Sequence, residues 1–248
     1  MLKQLIRFLR PSALSFSWRN ARDGLIDKVK GAPSRPVQAA SYVAAHAAGG
    51  DPAEVLQLLD KFAEEERWLM SVGPTKGPLM AELAGTLPDN PKVLELGAYC
   101  GYSSILIAQA MGAGCHVTSI EISEDSVKSA RANVEVAGLS QQIDFLHGAS
   151  NEVIPSLEGS FDLVFLDHWK DLYKRDLQLI EEYQLIHSGS IVVADNVGEL
   201  FNPTSYLDYV RNCGRYSSEN RRATVEYTQL ADALEISVYH PEQSPKSQ

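Results

Sequence analysis

The sequence lacks the features that mark several classes of protein. Its three cysteines form no Cys-x-x-Cys pair, which disfavours a disulfide scaffold and indicates free thiols in a reducing compartment. The six histidines are scattered, so no His/Cys cluster suggests zinc. No apolar run reaches the ~18 residues of a membrane span. Acidic residues outnumber basic ones, and the formal net charge of −10 disfavours nucleic acid as a partner.

The remaining composition is typical of a soluble α/β protein. The 248 residues are 44% hydrophobic and 22% charged, which predicts one domain with a sizeable core. We expect a basic N-terminal segment and linker over residues 1–50, a folded domain over 51–242 and a short tail over 243–248.

The N-terminal segment differs from the rest because no acidic residue precedes Asp23. Three interpretations stay open: a helix that docks on the domain or frays, a weak contact with a membrane surface or a partner, and a cleaved organellar presequence. We therefore expect a cytoplasmic protein, or an organellar one if residues 1–30 are a presequence. The apolar residues that share one face of the predicted helix are Leu2, Leu5, Ile6 and Leu9.

Strand-like and helix-like segments alternate from residue 92 onward. Such alternation predicts right-handed crossovers and a mostly parallel sheet with helices on both faces. Ahead of the sheet we expect a helix that begins after Asp51 and reaches Leu69, a rigid loop over residues 73–78 and a helix near 78–87. The predicted strands are 93–96, 116–121, 143–146, 161–167 and 190–194, with an antiparallel edge pair at 224–227 and 234–239.

Two of the apolar runs end in side chains that carry oxygen. One run is followed by Asp167, and the next strand along the chain by Asp195 and Asn196. Because the carboxyl ends of neighbouring parallel strands meet at one edge of a sheet, these side chains should lie together. Carboxylate and amide oxygens are the ligands that Mg²⁺ prefers. The alternative is structural, since an aspartate at a strand end also caps the following helix.

Lys170 stands three residues after Asp167. A divalent cation nearby would disfavour its ammonium form, so Lys170 could take a proton from a hydroxyl as a general base. An ordinary surface lysine is the alternative. His168, between the two, is more often a positioning residue than a metal ligand.

The first predicted strand ends in a turn that contains two glycines. Gly97 and Gly101 allow a ligand to approach the backbone closely, but the run is not Gly-x-Gly-x-x-Gly. Glu95, just before the turn, would repel phosphate and would suit a cationic ligand. Glu121 ends the second strand and could accept hydrogen bonds from both hydroxyls of a ribose. Together these residues indicate S-adenosylmethionine, an adenosyl ligand with a positive centre.

At these positions the chain resembles the catechol O-methyltransferase family of S-adenosylmethionine-dependent and Mg²⁺-dependent enzymes. The resemblance implies a Rossmann-like class I methyltransferase fold with a seven-stranded sheet, a monomer, and methyl transfer to one hydroxyl of a catechol. The likeness covers about residues 51–240, and the segments that carry it are 68–77, 93–103, 165–171, 194–197, 225–227 and 234–235.

The resemblance also implies roles for individual residues. Mg²⁺ would be held by Asp167, Asp195 and Asn196, and Lys170 would be the base. Glu226 would accept a hydrogen bond from the second hydroxyl of the acceptor. The methyl-donor pocket would contain Val72, Glu95, Gly97, Tyr99, Ser103, Glu121, Ser150, Asp167 and His168. The acceptor would be enclosed by Trp68, Met70 and Trp169, together with Lys170, Asn196 and Glu226.

Two positions depart from the family's pattern. Asn151 follows Ser150 where the family usually has glutamine, and Leu200 stands where a proline is expected, with Pro203 the nearest. We therefore expect residues 198–203 to affect the choice of acceptor more than the reaction. Three alternatives stay open: other vicinal diols such as caffeoyl or flavonoid compounds, a nicotinamide-dependent dehydrogenase, which the missing glycine motif disfavours, and a partner-binding protein without turnover.

Overall fold

The computed structural model describes residues 22–25, 27–29 and 31–241, so most of the N-terminal segment and the predicted tail lie outside it. Its strands are β1 Lys92–Leu96, β2 His116–Glu121, β3 Ile143–His147, β4 Phe161–Leu166, β5 Ile186–Ala194, β6 Tyr216–Thr224 and β7 Ala231–Tyr239. Within the described residues these form one sheet in the order β3-β2-β1-β4-β5-β7-β6. β1 to β5 are parallel and β7 is antiparallel to both of its neighbours, which confirms the predicted mixed sheet.

Helices precede the sheet and connect its strands. Asp51 begins one of them as predicted, because its carboxylate accepts a hydrogen bond from the Ala53 amide and Pro52 occupies the first turn. That helix continues into a π-helical turn, Phe62–Glu66. The helices are α1 Arg35–His46, α2 Pro52–Lys61, α3 Gly73–Ala84, α4 Tyr102–Met111, α5 Glu124–Val136, α6 Ser150–Val153, α7 Tyr173–Glu182 and α8 Thr204–Asn212.

Several predicted boundaries are wrong. The helix after Asp51 ends with the turn at Glu66 rather than at Leu69, the helix predicted near 78–87 ends at Ala84, and β7 begins at Ala231 rather than at 234. Strand β6 occupies 216–224 and not 224–227, so Glu226 lies in the turn that leads to β7. β6 is an edge strand with a mostly polar sequence, and it therefore gives no apolar run from which to predict it. Residues 73–78 belong to α3 because Pro74 fits the first helical turn, where its missing N–H costs nothing. β5 starts at Ile186, ahead of the apolar run that begins at residue 191.

Successive side chains of the central strands enter two separate cores. In β4, Phe165 packs in one core, whereas Val164 and Leu166 pack in the other. The same alternation occurs in β5, where Val193 pairs in register with Phe165 and Val192 faces the opposite side. Both faces are therefore apolar, which explains why these strands read as nearly continuous hydrophobic runs.

The helix in the predicted linker joins the main core. Ala39 and Val43 of α1 are fully buried in the same cluster as the first face of the sheet. Removing residues 1–50 would therefore take core side chains with it. None of the described helices combines the length and the apolar character that a membrane crossing requires.

Candidate active site

A cavity of about 580 Å³ lies at the carboxyl ends of β1, β2 and β4. A more open hollow of about 810 Å³ lies against β3 and α5, but it contains none of the predicted site residues. The predicted residues that line the 580 Å³ cavity are Trp68, Met70, Gly97, Tyr99, Ser103, Glu121, Ser150, Asp167, His168, Trp169 and Lys170. Those that do not line it are Val72, Glu95, Asp195, Asn196 and Glu226.

The turn after β1 forms the floor of the cavity. Gly97 has φ +101°, and a Cβ atom there would lie 2.9 Å from the backbone carbonyl carbon of Asp167. Only glycine combines this left-handed backbone with such close approach. The Asp167 amide donates to the Leu96 carbonyl, which continues the pairing of β1 and β4 to the edge of the site. Asp167 is thereby held directly beside the turn.

Glu121 is held at the tip of β2 by two backbone amides. Its carboxylate accepts hydrogen bonds from the Tyr99 amide at 3.0 Å and from the Ser123 amide at 2.8 Å. The side chain is half-buried and lines the cavity. A fixed carboxylate in this position can accept hydrogen bonds from a pair of ligand hydroxyls.

Glu95 lies beneath the cavity and is completely buried. One oxygen accepts hydrogen bonds from Ser104 and Ser119, whereas Oε1 has no partner among the described residues. Burial raises the pKa of this carboxyl group. The unpaired oxygen gives Glu95 an unused capacity to accept a hydrogen bond or a cation.

A buried aspartate holds the residues at the end of the cavity near β2 and β3, which we call the β2–β3 end. Asp176 is fully buried, and its Oδ2 accepts hydrogen bonds from Ser150 Oγ at 2.6 Å and from His168 Nε2 at 2.8 Å. Its Oδ1 accepts from Arg175 Nε at 2.7 Å. Burial alone would raise the pKa of Asp176, but these hydrogen bonds hold it below its usual value. Burial also lowers the pKa of His168.

The opposite end, which we call the β4–β5 end, carries a lysine among aromatic residues. Lys170 Nζ lies 3.1 Å from Asp167 Oδ1 and 5.9 Å from the centre of the Phe201 ring. Trp169 is 76% exposed and Met70 is 44% exposed, although both line the cavity. Exposed apolar side chains at a cavity mouth are suited to a flat apolar ligand.

A second lysine lies behind the β4–β5 end. Lys76 Nζ is 2.6 Å from Asp195 Oδ1, 2.5 Å from Glu226 Oε1 and 3.0 Å from Asp232 Oδ2, and all four side chains are buried. Burial alone would lower the pKa of Lys76, but the three carboxylates raise it well above its usual value. Burial raises the pKa of Asp195 to about 6 and that of Glu226 to about 8, against the influence of Lys76.

Lys76 and Asp232 were not among the predicted site residues. Lys76 lies in α3 and Asp232 in β7, 156 residues apart. Gly73 permits the contact, because a Cβ atom there would lie 2.8 Å from Glu226 Cγ. The available signal is a charged residue between two glycine-proline pairs, but such pairs also predict a loop. Asp176 and Phe201 were missed as well.

The residues of the β4–β5 end fit a divalent cation. The carboxyls Asp195, Glu226 and Asp232 lie within 4.8 Å of one another, but the Lys76 ammonium already lies among them. Asp195 Oδ2, in contrast, is buried with no hydrogen-bond partner in the described part of the chain. Asn196 donates its Nδ2 to Asp232 at 2.8 Å, which leaves Oδ1 for another contact.

The charge balance supports the same conclusion. With Asp167 and Lys170 included, four carboxylates share two ammonium groups, so two negative charges are not balanced when all are ionised. Buried charges are costly unless they are paired. Oxygens of Asp167, Asp195 and Asn196 are hard ligands of the kind that Mg²⁺ prefers.

Comparisons with known proteins identify the family to which this chain is similar. The sequence model of the O-methyltransferase family matches residues 46–204. Catechol O-methyltransferase B of Danio rerio is 36% identical over 251 residues, covering 96% of this chain and 94% of the relative. Catechol O-methyltransferase of Mus musculus is 37% identical over 210 residues, covering 82% and 78%. The solved O-methyltransferase from Bacillus cereus in complex with SAH is 20% identical, with a TM-score of 0.64 over 90% of this chain and 99% of that one.

Proposed function

The chain belongs to the O-methyltransferase family, and we propose that it transfers a methyl group from S-adenosylmethionine to one hydroxyl of a catechol with the help of Mg²⁺. The observation that carries the proposal is a single cavity that joins the ribose-binding carboxylate of Glu121 to the pair Asp167–Lys170. A methyl donor and an oxygen acceptor can therefore meet inside one cavity. The relatives named above as catechol O-methyltransferases favour a catechol as the acceptor.

The donor lies along the carboxyl edge of the sheet. Glu121 accepts hydrogen bonds from the ribose hydroxyls, and Gly97 lets the donor approach the backbone. The buried carboxylate of Glu95 provides negative charge below the turn for the cationic part of the donor. This arrangement directs the sulfonium methyl towards the β4–β5 end. The other donor-pocket residues are Val72, Tyr99, Ser103, Ser150, Asp167 and His168.

The acceptor occupies the β4–β5 end. Trp68, Met70 and Trp169 enclose its ring, together with Phe201, which lines the same cavity. Leu200, at the position where a proline was expected, packs with Phe201 against the apolar cluster that contains Trp68. The residues that would hold Mg²⁺ are Asp167, Asp195 and Asn196.

Lys170 takes the proton from the reacting hydroxyl. Its Nζ lies beside Asp167 at the wall of the cavity, which supports Lys170 as the base for an acceptor bound there. Mg²⁺, when bound, supplies positive charge that stabilises an ionised hydroxyl. Glu226 accepts a hydrogen bond from the second hydroxyl of the acceptor. One of its oxygens contacts Lys76, so the hydrogen bond uses an oxygen that Lys76 does not occupy. Alignment of the two reactants within one cavity contributes much of the rate.

The enzyme acts as a cytoplasmic monomer. Cys100 and Cys115 are buried and Cys213 is partly buried, all as unpaired thiols, which suits a reducing compartment. The alternative of an organellar location rests on residues 1–30, most of which lie outside the described residues.

Transfer of a labelled methyl group from S-adenosylmethionine to catechol, with Mg²⁺ and with EDTA, tests the proposal. We expect product only with Mg²⁺, and Lys170→Ala should reduce kcat by about a hundredfold or more while donor affinity stays unchanged. Lys174→Ala, a lysine on α7 whose ammonium packs over Tyr209, is the control and should retain activity. Full activity in EDTA, or in Lys170→Ala, would contradict the metal or the base assignment respectively. Better turnover of caffeoyl or flavonoid diols would change the acceptor but not the reaction.

A further inference from the structure

The β2–β3 end of the cavity has a hydrogen-bonding arrangement around Asp176, a residue to which the proposed reaction gives no role. In the sheet order, β3 lies two strands from β1, on the side away from β4 and β5. A donor whose sulfonium faces the β4–β5 end and whose ribose contacts Glu121 must therefore extend its base towards Ser150. Ser150 follows β3 and begins α6, and it lines the cavity.

The hydroxyl of Ser150 has only one hydrogen-bonding position left. Its hydrogen is donated to Asp176 Oδ2 at 2.6 Å, and one lone pair accepts from Arg175 at 3.1 Å. A serine hydroxyl has one donor and two acceptor positions. Ser150 therefore meets a ligand as a hydrogen-bond acceptor.

Asp176 is the reason why the Ser150 hydroxyl can act only as an acceptor towards a ligand. An ionised carboxylate can only accept hydrogen bonds, and both of its oxygens are already used by Ser150, His168 and Arg175. Because Asp176 is fully buried, rotation of the Ser150 hydroxyl towards the cavity would leave a buried charge short of a donor. His168 is fixed by the same carboxylate, since its Nε2 must carry a hydrogen to bond Asp176.

We infer that Asp176 is a positioning residue that fixes Ser150 as an acceptor, so that the pocket selects a purine with an exocyclic amino group over one with an oxo group. The inference rests on the proposed function, because it takes the base of the methyl donor as the ligand. An adenine amino group donates to the remaining lone pair of Ser150. The oxo group of hypoxanthine presents a second acceptor to the same lone pair, and the two repel each other.

Calorimetric binding of S-adenosylhomocysteine and S-inosylhomocysteine tests the inference without requiring turnover. The wild-type protein should bind the adenosyl compound about tenfold or more tightly than the inosyl compound, because a mismatched pair leaves a buried acceptor unsatisfied. Ser150→Ala should reduce that ratio towards one by removing the acceptor. Asp176→Asn should also reduce the ratio, because its amide can donate to Ser150 and release the hydroxyl hydrogen towards the ligand. Glu182→Gln, an exposed position on the same helix, is the matched control and should keep the wild-type ratio.

The outcomes separate this inference from the proposed function. If neither compound binds to the wild-type protein, the proposed methyl donor is wrong and the inference fails with it. If both bind equally well, the donor assignment survives and the inference is overturned. The inference is also overturned if the wild-type protein prefers the adenosyl compound but Ser150→Ala keeps the full ratio, and the donor assignment again survives. Ser150→Ala decides the question even if Asp176→Asn does not fold, and circular dichroism checks the fold of each variant.

Discussion

The two ends of the cavity satisfy their buried charges in different ways. At the β2–β3 end, the single carboxylate of Asp176 receives hydrogen bonds from three side chains of the protein. At the β4–β5 end, four carboxylates share two lysines, and Asp195 Oδ2 has no partner among the described residues. The first end is balanced by the chain itself, whereas the second keeps two unbalanced negative charges when all four carboxylates are ionised, and protonation of Glu226 or a further cation must reduce them.

This difference matches the two tasks of the cavity: the β2–β3 end recognises the base of the methyl donor, and the β4–β5 end carries the reaction. A site that must always present the same edge to a ligand benefits from a network whose members are all satisfied. A site that must stabilise a new negative charge in a reaction benefits from a cation that the protein holds but does not neutralise completely. Lys76 limits the cost of the excess charge, because without it three buried carboxylates would face one another.

The largest effect on stability is expected from substitution of Lys76. Lys76→Met keeps the aliphatic part of the side chain but leaves Asp195, Glu226 and Asp232 without their shared counter-charge. Loss of one partner from a buried ion pair costs about 3–5 kcal/mol, and we expect a decrease of that size in the free energy of unfolding measured with urea at pH 7. Lys128→Met, at an exposed pair with Glu124, should leave the midpoint unchanged. A wild-type midpoint for Lys76→Met would mean that the β4–β5 end is not held together by this ammonium.

A smaller effect on stability is expected from adding Mg²⁺. Adding Mg²⁺ to protein treated with EDTA should raise the melting temperature, and binding at a concentration of about 100 Kd contributes about 2.7 kcal/mol to stability. Asp195→Asn should abolish the shift because it weakens a ligand and reduces the excess charge. Asp144→Asn, an exposed position in β3, should keep it. An equal shift in both variants would show that Mg²⁺ binds elsewhere and that the comparison between the two ends is unsound.

The same difference decides how much of the site could be predicted from sequence. Asp167, Asp195 and Asn196 each follow an apolar strand directly, so local pattern and the rule for parallel sheets brought them together. Asp176 and Lys76 act through partners far along the chain: Ser150 lies 26 residues from Asp176, and Asp195 lies 119 residues from Lys76. No local periodicity encodes such contacts. The fold was predicted where strands are buried on both faces, and it was missed at β6, whose exposed edge needs few apolar residues.

The two ends should also change the stability of the protein with pH in opposite directions. Burial raises the pKa of Glu226 from 4.5 to about 8, so between those values the folded protein binds more protons than the unfolded chain. Stability of the metal-free protein should therefore fall as pH rises through that range, by at most about 1.4 kcal/mol per pH unit for this group. Asp176 has a pKa below 3.8, so its contribution is present above that value and is lost as pH falls through its folded pKa. Unfolding free energies from pH 3 to pH 9 in EDTA should show a smaller decline between pH 4.5 and about pH 8 in Glu226→Gln, and a smaller decline at acid pH in Asp176→Asn. An unchanged slope between pH 4.5 and about pH 8 in Glu226→Gln would mean that the excess negative charge is relieved somewhere other than Glu226.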